Sequence, residues 1–371
     1  MTTARAAVLR EAGSPLTLET IRIDPPKDGE VIVEMGAVGL CGSDRFVLDG
    51  HYPVEPPAVC GHEGAGKVLE VGPGVTGLTP GDHVVQIFIG PCGDCGPCRR
   101  GLKTFCRTGM HPSGRLRDGT FRMFAGDEPI GTYLGLGSFS TTTVTPARHL
   151  VKVPADVPWE IAALVSCGVS TGVGAAVNVA RVRPGDSVLV VGLGGVGASA
   201  VMGAVLAGAA RVVVSEVSPD KLAMATTFGA TDTVDVTQVD LVEAIADLTD
   251  GNGVDAVLLT PDRVRAAHHI DAVNCLGPGG VVVQVGGTAV DLDVIPVSPN
   301  ALLSQQKSIT GTVIGGPDPA RDVRRWIELY RAGRLPIDRL ITRRYAFDDI
   351  NVGFDDLKAG TNVRGVISFA P

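Results

Sequence analysis

Four cysteines, Cys92, Cys95, Cys98 and Cys106, fall within one short stretch of the chain. Glycine and proline between them let the backbone bend around a single ion, and four thiolates match a closed, tetrahedral, structural zinc site. Four thiols also suit an iron–sulfur cluster or two disulfides. A second group is spread along the sequence: Cys41 within Gly39–Asp44, His62 within Gly61–Glu63, and Cys167 within Ser166–Thr171. Two thiolates and an imidazole make a three-ligand zinc site whose fourth position is left for water or substrate. Taken singly, Cys41 and Cys167 read as buried small hydrophobes and His62 as a satisfied core histidine. Their company argues otherwise, because a complete four-cysteine loop and a nucleotide motif share the chain with them. Cys60 and Cys275 have no such company and read as buried free thiols. His51, His83, His111, His149, His268 and His269 fit no ligand spacing and read as surface or structural residues.

The nucleotide motif is Gly192, Leu193, Gly194, Gly195, Val196 and Gly197. This G-x-G-x-x-G follows an apolar, β-branched run, Ser187–Val191, and opens a small-residue helix. Gly192 allows the tight turn, Gly194 lets backbone approach a pyrophosphate, and Gly197 lets helix and strand pack closely. The helix N-terminus offers free N–H groups and the positive dipole end to the phosphates. A second strand, Arg211–Ser215, ends in Glu216, whose carboxylate can accept from both ribose hydroxyls of an adenosine. A 2′-phosphate there would meet a negative charge, so NAD is expected over NADP; Lys221 is the nearby cation on the following helix.

These residues need two kinds of scaffold. Early segments (6–9, 16–23, 30–34) read as short strands, and the Gly/Pro-rich texture to residue 90 reads as a β-barrel-like domain. After Val157, strands alternate with helices: helix 161–180, strand 187–191, helix 196–209, strand 211–215, helix 219–228, then strands 254–259 and 280–285. Helix 320–331 and strand 363–368 follow. The expected organisation is a catalytic zinc domain from 1–168 and 313–371, with a dinucleotide-binding domain, 169–312, inserted into it. At 371 residues two domains are the natural division. A net charge of −8 argues against a nucleic-acid partner. The stretch 187–214 is apolar enough to span a membrane, but its glycines and flanks favour a buried strand–turn–helix–strand, so no membrane partner is expected. The N-terminus lacks a signal-peptide apolar core, so a cytoplasmic protein with thiols or metal ligands is expected.

Together these residues resemble the zinc-dependent medium-chain alcohol dehydrogenases, nearest to the subgroup of the animal liver alcohol dehydrogenases and glutathione-dependent formaldehyde dehydrogenases. The likeness runs over Gly39–Asp44, Gly61–Glu63, the four-cysteine loop, Cys167–Gly172, Gly192–Gly197 and Asn362–Ile367. It implies an α/β protein with a doubly wound Rossmann sheet inserted in a β-rich GroES-like catalytic domain. By the resemblance, Cys41, His62 and Cys167 bind a catalytic zinc and Glu63 lies beside it. Asp44 orients His62, Ser43 receives the alcohol proton, Phe88, Tyr133 and Leu134 line the alcohol pocket, and Arg364 contacts the cofactor pyrophosphate. Two Zn2+ per subunit and NAD are the implied cofactors. Segment 107–140 resembles an insertion of dimeric members, and Ser308–Ile314 matches the strand that pairs with its symmetry mate, so a homodimer is expected.

The sequence departs from the family in two places. Gly42 stands where animal members often carry a basic residue, and Phe46 where some end a proton relay with histidine. His51 is a weak candidate to replace that histidine. The implied reaction is hydride transfer between a small-molecule alcohol, or its aldehyde or ketone, and NAD(H), with zinc as the Lewis acid. Alternatives within the family are a formaldehyde dehydrogenase acting on a thiol adduct, an enzyme whose cofactor is held without exchange, and a polyol dehydrogenase. A zinc-free quinone-reductase-like or crystallin-like binding protein is the reading outside it, and the intact ligand set argues against that.

Overall fold

The computed structural model describes all residues except 1, 53, 112–113, 289–293 and 370–371. It divides the chain into two compact units. The first comprises Met1–Cys167, Pro317–Arg331 and Ile341–Pro371, and the second Gly168–Gly316 and Ala332–Leu340. The short segment Ala332–Leu340, which the sequence reading assigns to the terminal part of the catalytic domain, belongs to the second unit.

The first unit is built mainly from antiparallel strands, with two parallel pairs, Ala58–Val59 with Glu128–Thr132 and Arg343–Ala346 with Gly365–Ser368. Thr2–Leu9, Thr17–Ile23, Met123–Ala125, Glu128–Thr132 and Ala58–Val59 close into a barrel. A larger sheet runs in the order Leu150–Lys152, His83–Gln86, Gly64–Val71, Glu30–Gly39, Gly365–Ser368, Arg343–Ala346, and Thr142–Pro146 pairs with Glu30–Gly39. The chain's last strand thus pairs antiparallel with Glu30–Gly39, which fixes Gly365 near the start of the site: Leu40 N–H donates to the Gly365 carbonyl at 3.0 Å. Segment 107–140 supplies two barrel strands through a tight hairpin, so the second half of the expected insertion is barrel wall. Buried Arg122 anchors it to Glu30 through two parallel hydrogen bonds of 2.8 and 2.7 Å. Removing one partner of such a buried pair costs about 3–5 kcal/mol.

The second unit is a six-stranded parallel sheet in the order Asp232–Asp235, Arg211–Glu216, Ser187–Val191, Val254–Leu259, Leu276–Gln284, Ser308–Gly311. That order reverses direction after Ser187–Val191, the arrangement of a doubly wound dinucleotide fold. Val188, Leu189 and Val190 are fully buried, because helices cover both faces of a parallel sheet. The apolar stretch 187–214 accordingly divides into strand, helix Gly195–Ala207 and strand. The helical stretch Trp159–Ala180 is also apolar and long enough to cross a membrane, and 89% of its most apolar window is buried in the protein.

Candidate zinc and nucleotide sites

The first site begins where strand Glu30–Gly39 ends. Cys41 is the residue before helix Gly42–Leu48, so its side chain leaves from an extended backbone while Asp44 lies in the helix's first turn. Asp44 is fully buried, and its Oδ1 accepts from the His62 ring Nδ1 at 2.9 Å and the Gly61 N–H at 3.2 Å. That bond fixes the tautomer: with Nδ1 carrying the proton, Nε2 is the lone pair left for a metal. Gly61 has φ +88°, and a Cβ there would lie 2.8 Å from Phe139, so only glycine allows this bend.

Glu63 follows at the start of strand Gly64–Val71. Its Oε1 accepts from Arg364 at 2.6 Å, and a second Arg364 nitrogen donates to the Leu40 carbonyl at 3.1 Å. Glu63 Oε2 is buried without a protein partner, and a side chain at Gly39 would collide with it. Cys167 arrives from the helix beginning at Trp159. This helix is not uniform, as the sequence reading had it; it widens into a π-helical turn over Val165–Val169, with Cys167 at its centre. Such turns redirect a side chain from the regular helical register, and they cluster at functional sites.

The outcome is that one ligand atom each from Cys41, His62, Glu63 and Cys167 lies within 4.8 Å of the others, all four residues buried. This donor set fits zinc: two sulfurs, one imidazole with its other nitrogen held, and an unpartnered carboxylate oxygen beside them. A hydrogen bond from Cys167, with His62 beside it, holds the Cys41 thiol well below its usual range. Burial pushes the His62 imidazole down, but Asp44 outweighs it and the net direction is well upward. Burial raises the Glu63 carboxyl to about 8 against the opposing pull of Arg364.

The expected pocket residues gather here. Phe88 and Tyr133 each set an aromatic ring edge-on to His62, at centroid distances of 5.9 Å and interplanar angles of 89° and 85°. Leu134 is buried beside Tyr133 with φ +56°, a left-handed backbone that costs a leucine strain and marks a position held by its surroundings. Ser43 is exposed in the first turn of Gly42–Leu48. Arg364, given to a cofactor pyrophosphate by the resemblance, is 4% exposed, and two of its five N–H donors go to Glu63 and the Leu40 carbonyl. The Glu63–Arg364 pair is the element that sequence reasoning missed. An arginine inside the apolar run Val363–Ile367 was the available signal, since a buried guanidinium demands a buried acceptor.

The second site is the loop itself. Cys92, Cys95, Cys98 and Cys106 bring four sulfurs within 4.8 Å of one another. Backbone N–H groups point at these sulfurs: Cys92 N–H to Cys106 Sγ at 3.2 Å and Cys95 N–H to Cys92 Sγ at 3.3 Å. Amide donors from Cys95 and Asp94 pull the Cys92 thiol down to about 6, whereas burial pushes Cys98 up to about 12. All eight cysteines are free thiols, so the disulfide reading of the loop is set aside; Cys60 and Cys275 are buried alone, as expected.

In the second unit the glycine motif turns between strand and helix. Gly192 has φ +87°, and a Cβ on Gly197 would collide with the Gly192 carbonyl, matching the turn and packing roles read from sequence. Gly194 is open on its Cβ side, as a position approached by ligand requires. Glu216 closes the far end: one carboxylate oxygen accepts from Leu193 N–H at 2.7 Å and the other from Val217 N–H at 2.8 Å. These bonds fix the carboxylate and leave lone pairs for ribose hydroxyls. Ser218 caps helix Pro219–Phe228, its Oγ accepting from the Lys221 backbone N–H at 3.4 Å, and no ion pair joins Lys221 to Glu216 among the described residues.

A doubly wound nucleotide unit with a β-rich unit carrying two cysteine-based metal sites defines a metal-dependent dehydrogenase. Comparison with known proteins agrees. Residues 27–155 match the alcohol dehydrogenase GroES-like domain, and residues 195–330 the zinc-binding dehydrogenase domain. An NDMA-dependent alcohol dehydrogenase from Amycolatopsis methanolica is 39% identical over 98% of both chains. A crystal structure of an alcohol dehydrogenase zinc-binding domain protein from Burkholderia ambifaria superposes with TM-score 0.94 at 35% identity over the whole of both chains. One of benzyl alcohol dehydrogenase from Acinetobacter calcoaceticus superposes with TM-score 0.93 at 32% identity, again over both whole chains. The chain belongs to the zinc-dependent medium-chain alcohol dehydrogenases. It is an alcohol dehydrogenase.

Proposed function

We propose that the protein interconverts an alcohol and its aldehyde or ketone by hydride transfer to NAD(H), with one catalytic and one structural zinc per chain. The convergence of Cys41, His62, Glu63 and Cys167 within 4.8 Å carries this reading. When bound, zinc supplies a Lewis acid for the alcohol oxygen and NAD supplies the hydride acceptor. The protein's part is to hold and to shield. Cys41, His62 and Cys167 hold the metal, and Asp44 keeps His62 in the ligating tautomer. Arg364 holds Glu63 beside the ligands, where its raised pKa keeps the carboxyl largely protonated below about 8. Phe88, Tyr133 and Leu134 exclude water from the reacting carbon, and the Ser43 hydroxyl takes the alcohol proton onward. Glu216 selects NAD, since a 2′-phosphate would meet its charge.

A homodimer forms through Ser308–Gly311, the sheet's outermost strand, which pairs on one side with Leu276–Gln284. Plasma emission analysis tests the metals and expects two zincs per chain; NADH absorbance on alcohol addition tests the chemistry, and light scattering the dimer. Equal use of NADP would refute the reading of Glu216. A second reading, a cofactor kept bound through turnover, draws support from the NDMA-dependent relative. Turnover that requires NDMA but no added NAD, with nicotinamide absorbance in the purified protein, identifies it.

A further inference from the structure

We propose that the Tyr133 hydroxyl is a specificity device, and that the enzyme's preferred substrates carry a second oxygen besides the reacting alcohol. This rests on the alcohol dehydrogenase reading above. Tyr133 is 7% exposed, with its ring edge-on to the ligand His62 and packed in the barrel core that includes Cys60, Leu134 and Phe139. Buried tyrosines pair their hydroxyls, and an unpaired one costs about 1–3 kcal/mol. Yet the Tyr133 hydroxyl makes no hydrogen bond among the described residues. Nearby Asp44 Oδ2 and Thr132 Oγ1 are also unpartnered, but they are sealed from solvent, whereas the Tyr133 hydroxyl is not among the enclosed atoms. Its partner therefore comes from outside the described protein groups, water in the free enzyme and a substrate oxygen in the complex.

That partner is an acceptor. A phenol with an ordinary pKa of about 10 keeps its proton at neutral pH, so its O–H is free to donate to an oxygen. Of the three pocket residues, Phe88 and Leu134 have hydrocarbon side chains, so Tyr133 carries the single polar group. A simple alcohol spends its one oxygen at the metal and leaves the phenol unpaired. An alcohol with a further hydroxyl, ether or carbonyl oxygen satisfies both ends. Sites built to hydrogen-bond a substrate group discriminate against analogues that lack it.

The experiment uses the zinc-loaded full-length protein and matched pairs: benzyl alcohol against the hydroxybenzyl alcohols, and butanol against the butanediols. The wild type is expected to favour the best oxygenated member by about tenfold in kcat/KM, the value of one such hydrogen bond. In Tyr133→Phe the ratio falls to near one, whatever the common level of activity. Calorimetric Kd values for the same pairs follow the same pattern without turnover. A wild-type ratio near one for every pair overturns the proposal. So does a ratio that survives in Tyr133→Phe, since it shows the ring alone, or another group, sets the preference. Failure of the wild type to oxidise any alcohol, with NAD or with NDMA, overturns the underlying reading instead, and no variant is needed to see it.

Discussion

The two cysteine sites are made in opposite ways. The four-cysteine loop closes on itself within one short stretch and stands partly in solvent, with Cys92 exposed and Cys98 buried. Its sulfurs are held by the loop's own N–H groups. The other site collects Cys41 from the end of a strand, His62 from a glycine bend and Cys167 from a π-helical turn, all buried. There side chains do the positioning, Asp44 holding His62 and Arg364 holding Glu63. A metal held by the loop would tie local chain together and contribute to folding, whereas one held by the buried set would sit among side chains gathered from distant parts of the chain.

Exchanging one ligand in each site gives the largest contrast. Cys167→Ser is expected to lower kcat by on the order of 10³ or more, equivalent to several kcal/mol of lost charge stabilisation, with little change in Tm. Cys98→Ser is expected to do the reverse: one zinc lost, several kcal/mol of stability lost, and residual turnover per folded molecule retained. Metal content, thermal melting and kinetics on both variants decide it. If Cys98→Ser abolishes turnover in protein that melts normally, the two sites are not divided in this way. A smaller effect probes the charge behind the buried site. Asp44→Asn keeps the shape but loses the anion that holds His62, and a loss of about 10–100-fold in zinc affinity or activity is expected. An unchanged zinc affinity would remove Asp44 from its positioning role.

The same contrast explains what the sequence disclosed. Cys92, Cys95, Cys98 and Cys106 declare themselves by spacing because their geometry is local. Strands 187–191 and 254–259 are legible for a similar reason: a strand buried on both faces is written as a continuous apolar run. Cys41, His62 and Cys167 are read as a set only through the company of the four-cysteine loop and nucleotide motif and through family likeness, since no periodicity links residues so far apart. The Glu63–Arg364 pair joins strands at opposite ends of the chain, and one residue's type cannot announce the other. The π-helical turn at Val165–Val169 was also hidden, because tertiary packing rather than local propensity widens it.

A second pair of residues sharpens the comparison at lower amplitude. His62 and His149 are both buried imidazoles bonded through Nδ1, His62 to a carboxylate and His149 to the Ile87 carbonyl at 2.9 Å. The neutral partner cannot offset burial, and with Arg148 nearby His149 falls to about 3. Its folded pKa therefore lies below the unfolded value of 6.5, so the unfolded chain binds the extra proton and stability is lost as pH falls through that window. At about pH 4.5 this amounts to roughly 2–3 kcal/mol. His149→Asn keeps a donor for Ile87 but cannot titrate. Urea unfolding at neutral and acid pH is expected to show a shallower acid loss in the variant; parallel slopes would mean that His149 is not buried neutral.

The outer edge of the buried site pairs one large expected effect with the smallest one. Ser43 occupies the first turn of Gly42–Leu48, two residues beyond Cys41, and is the hydroxyl from which a proton must leave. Phe46, in the same helix, has no ionisable group to receive it. His51 is the nearest imidazole along the chain. Its N–H is bonded to the Phe46 carbonyl at 2.8 Å, and its ring lies against Phe46 with centroids 5.9 Å apart and planes tilted by 58°. That contact sets the apolar Phe46 ring against His51. Ser43 is itself exposed, so solvent at its hydroxyl offers the proton a direct exit. Ser43→Ala is accordingly expected to lower kcat by about 10²-fold or more, the usual contribution of a positioned proton carrier. His51→Gln should leave kcat within about twofold and the pH–rate profile unshifted, because an imidazole outside the path contributes no titration to it. Should His51→Gln slow turnover most below neutral pH, with added imidazole restoring it, the proton passes through His51 after all, and Phe46 packs against the relay instead of interrupting it.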